Sequence, residues 1–306
     1  MAQMPESIKQ IQKDVQYFRD KYYTYDLPVP FKDGLYMYPV SVKDYNEFLS
    51  CSICLTLNKN DTPEGIGMTN IEYLVSKMQD KEEGPIWSLR FTRILELCLH
   101  IKSGLLCPKC GKFMSFDEFY QHYQDPSIVD KSTILNCECG DKFQETVKFA
   151  PDEESPKKRI VFVINGVKIN SKEFNKLRQY IMYQNLPDYK DDSWVDKAIR
   201  DDQAALAEIK GRNSGTATLE KKIIGVSINT NLKIDEVYNL SMRKFLIYLG
   251  MIDDIMSYKI TRQAVSSGFA SLPKGQTVEH WLYKKDEGMY GKAVDADAYK
   301  SQITST

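Results

Sequence analysis

Four cysteines, Cys107-Pro-Lys-Cys110-Gly111 and Cys137-Glu-Cys139-Gly140, most narrow what this chain can fold into. A pair of cysteines separated by one or two residues and followed by glycine folds into a tight turn that aims both sulfurs at one point. Two such pairs supply the four thiolates that a tetrahedral Zn²⁺ takes, and the glycine permits the positive φ that turns backbone amides toward the sulfurs. The first pair has the usual C-x₂-C-G spacing; the second is one residue short of it. His122, between the pairs, is the alternative fourth ligand if Cys139 fails to reach. A disulfide is the poorer reading, because Cys-x-Cys is a strained bridge and nothing marks secretion. Four unligated thiols in a polar loop are poorer still, since free cysteine prefers burial. A structural site of this type contributes about 10–16 kcal/mol of apparent binding energy to a module with almost no core of its own. Four protein ligands fill every position, so the zinc is expected to be structural and not catalytic.

The other three of the seven cysteines do not extend the motif. Cys51 and Cys54 lie within an apolar helical stretch with no glycine and no partner pair, and are read as core residues. No apolar run approaches the ~20 residues of a membrane span, and a net charge of −1 gives no global basic field for nucleic acid or anionic lipid. Tyrosine is abundant, at 19 residues, which fits a surface made for contact, although coding bias would produce the same excess.

Along the chain the spacing predicts a mostly helical α+β protein. Ile8, Ile11, Val15, Phe18 and Tyr22 give an amphipathic helix over 6–24. Two prolines then force extended backbone at 28–30, and 34–42 reads as a short strand. Helices are expected over 45–57, 68–78 and 86–102, the last leading directly into Cys107. His100 lies off its apolar stripe. Between the knuckles Ser115 caps a short helix through Tyr123, and 143–149 alternates as a strand. Residues 151–158 read as a linker. Ile160 to Ile164, Asn165-Gly166 and Val167 to Asn170 form a hairpin around the dipeptide that best fits a tight two-residue turn. Ser171 is expected to cap a helix that ends near Pro187. Short helices follow over 194–210, 218–227, 233–238, 241–250 and 253–267, with Trp281 packed on them and His280 at the rim. The expected organisation is a helical N-terminal domain (1–102), a zinc ribbon (103–150), a hairpin plus helix (157–187), a C-terminal helical domain (188–287) and a tail (288–306) without periodicity.

The chain contains no G-x-x-x-x-G-K-[ST] loop, no G-x-G-x-x-G after a strand, no H-E-x-x-H and no G-x-S-x-G. Its three histidines, at 100, 122 and 280, stand near no obvious nucleophile, so no catalytic residues and no small-molecule substrate are assigned. Zinc ribbons often bind nucleic acid, but residues 103–150 hold five lysines against seven acids, and a zinc tetrathiolate adds two further negative charges. Counterion release requires Lys and Arg at the contact. The ribbon is therefore read as a protrusion for protein contacts, and the short helical units after 218 lack the basic face of a DNA-reading helix.

The order of motifs Pro28-Val-Pro30-Phe, Gly34-Leu-Tyr-Met-Tyr-Pro-Val-Ser-Val-Lys-Asp-Tyr45, Leu57-Asn-Lys-Asn60 and Met68-Thr-Asn-Ile-Glu-Tyr-Leu74 opens a longer pattern. The knuckles, the Ile-Asn-Gly-Val hairpin, Gln184-Asn185, Leu240-Ser-Met-Arg-Lys-Phe245, Ser267-Gly268 and His280-Trp281 complete it. Over about residues 28–282 this resembles the tail and baseplate proteins of large contractile-tailed bacteriophages, in particular small hub- or wedge-associated proteins. The resemblance implies a non-enzymatic virion component, made in the host cytoplasm and docked on other tail or baseplate proteins, with Cys107, Cys110, Cys137 and Cys139 as its only site. Two alternatives remain open: a zinc-ribbon protein that binds nucleic acid in transcription, and a tail-assembly chaperone.

Overall fold

A computed structural model describes residues 5–124, 130–153, 158–212, 217–271, 278 and 280–283. The expected tail, 288–306, and much of the expected linker lie outside them. The protein is mostly helical α+β, with 58 % helix and about 13 % strand. Among the described residues no helix is long and apolar enough to cross a membrane. The chain divides into two compact units, Met1–Ile247 and Tyr248–Thr306.

Helix α1 (Glu6–Lys21) buries Ile8, Ile11 and Val15, the stripe its spacing predicts. Strands β1 (Val29–Lys32) and β2 (Leu35–Met37) then pair antiparallel. Asp33 and Gly34, with φ of 45° and 82°, make the turn between them. The stretch expected as one helix over 45–57 is two, α2 (Tyr45–Cys51) and α3 (Ile53–Thr56). Cys51 and Cys54 are both buried there, and the Cys54 thiol faces the Trp87 carbonyl at 3.9 Å. Helix α4 (Asn70–Met78) starts in a capping box formed by Thr69 and Glu72, and α5 (Gly84–Leu99) follows it. His100 takes a left-handed conformation (φ 55°) that ends α5, and its ring stacks on Tyr38 at 3.9 Å between centroids.

The ribbon contributes β3 (Gly104–Leu106), β4 (Phe113–Ser115), α6 (Phe116–Gln124) and β5 (Gln144–Glu145), with β3 in the middle of a three-stranded antiparallel sheet. Ser115 caps α6 as expected, accepting from the Glu118 amide while Glu118 accepts from the Ser115 amide. The strand expected over 143–149 serves two sheets. After β5 the chain passes Thr146 and enters β6 (Val147–Pro151), which pairs with β7 (Ile160–Ile164), itself paired with β8 (Val167–Ile169). Residues 152–159 therefore connect neighbouring strands of one sheet, the Asp152 amide donating to the Arg159 carbonyl at 2.7 Å, and do not separate two domains.

Asn165 and Gly166, with φ of 47° and 82°, turn β7 into β8 as the dipeptide predicts. Helix α7 (Ser171–Asn185) is capped by Asn170, one residue before the expected Ser171: its side chain accepts from the amides of Lys172 and Glu173. Every residue from Leu177 to Asn185 is buried. One cluster joins Ile11, Phe48, Leu74, Ile94, Phe162, Ile169 and Ile181, so the hairpin and α7 share the core of the N-terminal helices and are no separate domain. Phe91, Phe149, Phe162 and Phe174 form its aromatic centre, with ring centroids 5.1 to 6.4 Å apart.

Helices α8 (Lys197–Arg212), α9 (Leu219–Thr230) and α10 (Ile234–Asn239) follow, and after α10 the chain meets the segment that follows β2. The Val42 amide donates to the Leu240 carbonyl at 2.9 Å, and the Met242 amide to the Val40 carbonyl at 2.7 Å. The expected domain at 188–287 is thus split: α9, α10 and the buried Met242 and Phe245 belong to the first unit. The two helices expected over 241–250 and 253–267 are one, α11 (Met242–Ser266). In the second unit the His280 ring lies 5.0 Å from that of Tyr258, and Trp281 shares a groove with Ile255, Tyr258 and Arg262.

Candidate metal centre

The four sulfurs converge. The Sγ atoms of Cys107, Cys110, Cys137 and Cys139 all lie within 4.8 Å of one another, the Cys107–Cys139 pair at 3.3 Å and the Cys110–Cys137 pair at 3.5 Å. Zn–S bonds of about 2.3 Å put tetrahedral sulfurs about 3.8 Å apart, so the donor set fits one zinc ion without rearrangement of the fold. Cys139, the residue of the short knuckle, takes its place in the cluster. His122 sits exposed on α6, outside that group of four.

Local backbone explains why the sequence folds this way. The Gly111 amide donates to the Cys107 carbonyl at 2.9 Å and the Gly140 amide to the Cys137 carbonyl at 2.9 Å, closing each knuckle. Both glycines adopt positive φ, 73° and 88°, where a side chain would be strained. Outside the knuckles the Cys107 amide donates to the Lys112 carbonyl and the Cys137 amide to the Asp141 carbonyl. The one-residue shortening is absorbed there: Cys137-Glu-Cys139 closes with Gly140 in the same place as the longer pair.

The electrostatics suit a bound dication. The Cys110 amide points at the Cys107 sulfur and, with the Cys139 thiol and the Lys109 amide, brings the Cys107 thiol down to about 7 against opposing burial. At Cys137 the Cys139 amide favours the thiolate, but burial and the Cys110 thiol win and hold the group above its ordinary value. At Cys139 the Asp141 amide likewise favours the thiolate, and the Cys107 thiol, burial and the Cys137 thiol together outweigh it. Cys107 thus favours the thiolate while Cys137 and Cys139 resist it, and the charge of a metal ion is what would deprotonate those two. Cys107 and Cys137 are buried, Cys139 is half-buried and Cys110 is exposed, so the cluster has an inner and an outer side.

Three supporting residues carry no signal in the sequence. Lys109 reaches across to the Cys139 carbonyl at 3.3 Å, and Lys112 pairs with Glu138 at 2.9 Å, tying one knuckle to the other. Thr146 roots the ribbon. Its buried hydroxyl accepts from the Gly104 amide at 3.0 Å and donates to the Lys102 carbonyl at 2.8 Å, and its amide donates to the Gly104 carbonyl at 2.9 Å. From the other side the Asn165 amide donates to the Thr146 carbonyl at 2.7 Å, so the same residue holds the turn of the main sheet.

No family model, curated protein or solved structure matches this chain.

Proposed function

We propose that this protein is a non-enzymatic structural component of the tail baseplate of a contractile-tailed phage, hub- or wedge-associated, in which a zinc-stapled ribbon docks on neighbouring subunits. The observation that carries the structural role is the convergence of four cysteine sulfurs on one point. A zinc ion held by all four has no open position for a substrate or a water, so its chemistry is that of a staple. Cys107, Cys110, Cys137 and Cys139 would hold the ion; Lys109 and Lys112 steady the knuckles that present them. The surface also suits protein contact: Tyr120 and Tyr123 stand exposed one turn apart on α6, 58 % and 51 % accessible, and the module's charge is acidic. The baseplate setting rests on the motif order along residues 28–282.

The experiment has two readings. Metal analysis of the purified chain is expected to give one equivalent of zinc, and Cys107→Ser is expected to lose it. Quantitative mass spectrometry of purified particles is expected to find the chain at a fixed ratio to other baseplate proteins. A chain abundant in infected cells and absent from finished particles is the chaperone, and micromolar affinity for DNA or RNA that falls steeply with salt is the nucleic-acid reading. Either result overturns the baseplate role without touching the metal site.

A further inference from the structure

We propose that the four cysteines, holding zinc as read above, exchange it for two disulfides across the knuckles, Cys107–Cys139 and Cys110–Cys137, when a peroxide oxidises them. The ribbon then stays stapled after the ion has left. Only the metal reading is needed for this; the baseplate setting is not. Each knuckle sets one cysteine inward and one outward. Cys107 and Cys137 are buried, whereas Cys110 is exposed and Cys139 half-buried. Across the knuckles each inner sulfur has an outer one beside it, Cys107 with Cys139 at 3.3 Å and Cys137 with Cys110 at 3.5 Å. An S–S bond of about 2.05 Å asks for a further approach of about 1–1.5 Å in each pair.

Four sulfurs allow three pairings, and two are disfavoured. Bridges within the knuckles require Cys137–Cys139, and a Cys-x-Cys link is strained. Joining Cys107 to Cys137 would leave both sulfurs of one bond on the inner side, away from an oxidant. The remaining pairing sets an accessible sulfur against a buried one in both bonds, the arrangement of an attacked thiol and the thiol that resolves it. Contacts other than the sulfurs already hold the knuckles together for it. Lys109 donates to the Cys139 carbonyl at 3.3 Å and Lys112 pairs with Glu138 at 2.9 Å. In the reaction the Cys110 sulfur takes one peroxide oxygen as a sulfenic acid and the other oxygen leaves as hydroxide. The Cys137 thiolate then displaces the sulfenic hydroxyl as a second hydroxide and forms the S–S bond. Two electrons pass from the sulfur pair to one peroxide, and two protons turn the hydroxides into water. Two thiolates no longer complete a tetrahedral site, so the ion leaves as Zn²⁺, and a second peroxide oxidises Cys139 and Cys107 in the same way.

The full chain, purified with zinc under reductant and then freed of reductant, is titrated with hydrogen peroxide. A chromogenic chelator is expected to register one equivalent of zinc released for two of peroxide consumed. Free thiols are expected to fall from seven to three, because Cys51, Cys54 and Cys98 are buried in the main core and stay reduced. Cleavage after Lys109 and after Glu138 puts the four ribbon cysteines on separate peptides, and non-reducing mass spectrometry is expected to find the 107–139 and 110–137 links. Hydrogen exchange across 104–145 is expected to stay slow in the oxidised, metal-free ribbon and to quicken in the reduced, metal-free one. A Cys107–Cys110 link, zinc that stays bound through the titration, or an oxidised ribbon that exchanges as fast as the reduced metal-free one overturns the proposal. A reduced chain that carries no zinc overturns the metal reading along with it, and the zinc content before peroxide is added tells the two failures apart.

Discussion

Asn185 shows how one buried amide can organise distant segments. It is fully buried; its Oδ1 accepts from the Val40 amide at 2.8 Å and its Nδ2 donates to the Ile181 carbonyl at 2.9 Å. Val40 in turn receives the Met242 amide, so α7, the segment after β2 and the start of α11 meet at this side chain. Removing it leaves a buried donor unpaired, which costs about 1–3 kcal/mol. Asn185→Ala should lower the urea midpoint correspondingly with its m-value unchanged; an unaltered midpoint would show that water or a local shift satisfies Val40. Glu72 plays a comparable part at the surface, closing the α4 capping box and pairing with Arg159 at 2.7 Å. Burial pushes its carboxyl up, but the Thr69 amide and the Arg159 guanidinium outweigh it and hold the pKa below the ordinary 4.5. A depressed carboxylate contributes stability above its unfolded value and loses it as pH falls through the lower folded one. Glu72→Gln should therefore cost about 0.5–1 kcal/mol at neutral pH, an amount limited by solvent screening. The cost should vanish in acid, below the folded pKa; urea midpoints measured across that range check it. At this scale the four cysteines were legible because metal ligation demands a residue type at a spacing. Asn185 and Thr146 were not, because any buried amide or hydroxyl gains its meaning only from the backbone that folding brings to it.

Turns and caps decide the elements, and their legibility follows the same division. Asn165-Gly166 announces its hairpin because only a few residues accept positive φ at two successive positions. Asp33-Gly34 carries the same signal, but the prolines before it and the shortness of β1 obscured it, and the segment read as a single strand. The strand after the second knuckle was visible, but alternation does not say which neighbour a strand pairs with, and so its division between two sheets was not. The two helices expected over 241–250 and 253–267 run on through Gly250 as the single α11. In a continuous helix this glycine is a weak point: a Cβ built there meets nothing within 4 Å. Gly250→Ala should then raise stability by about 0.5–1 kcal/mol through the lost freedom of the unfolded chain. Circular dichroism at 222 nm should show equal or greater helicity with a higher melting temperature. A loss of helicity would mean that the chain turns at 250 after all.

Across the molecule the ribbon and the main body rest on different physics. The body has one large cluster of buried apolar side chains drawn from α1 through α7 and Met242. The ribbon's own cluster has four buried members, Leu105, Cys107, Cys137 and Phe143, and two of these belong to the group of four cysteines. Half of that small core is therefore thiol, and on the proposed reading a bound ion is what would hold it together. Chelation should act locally for this reason. Hydrogen exchange after zinc removal is expected to quicken across 104–145, including the β3–β4 pairing, while the amides of α5, α7 and β7 keep their protection. One equivalent of zinc should restore the slow pattern. The boundary should fall at Thr146, whose amide and hydroxyl bind Gly104 on the ribbon side while its carbonyl receives Asn165 on the other. If α5 and α7 lost protection together with the ribbon, the two clusters would be one cooperative unit, and the metal would be holding the whole first unit instead of a module mounted on it.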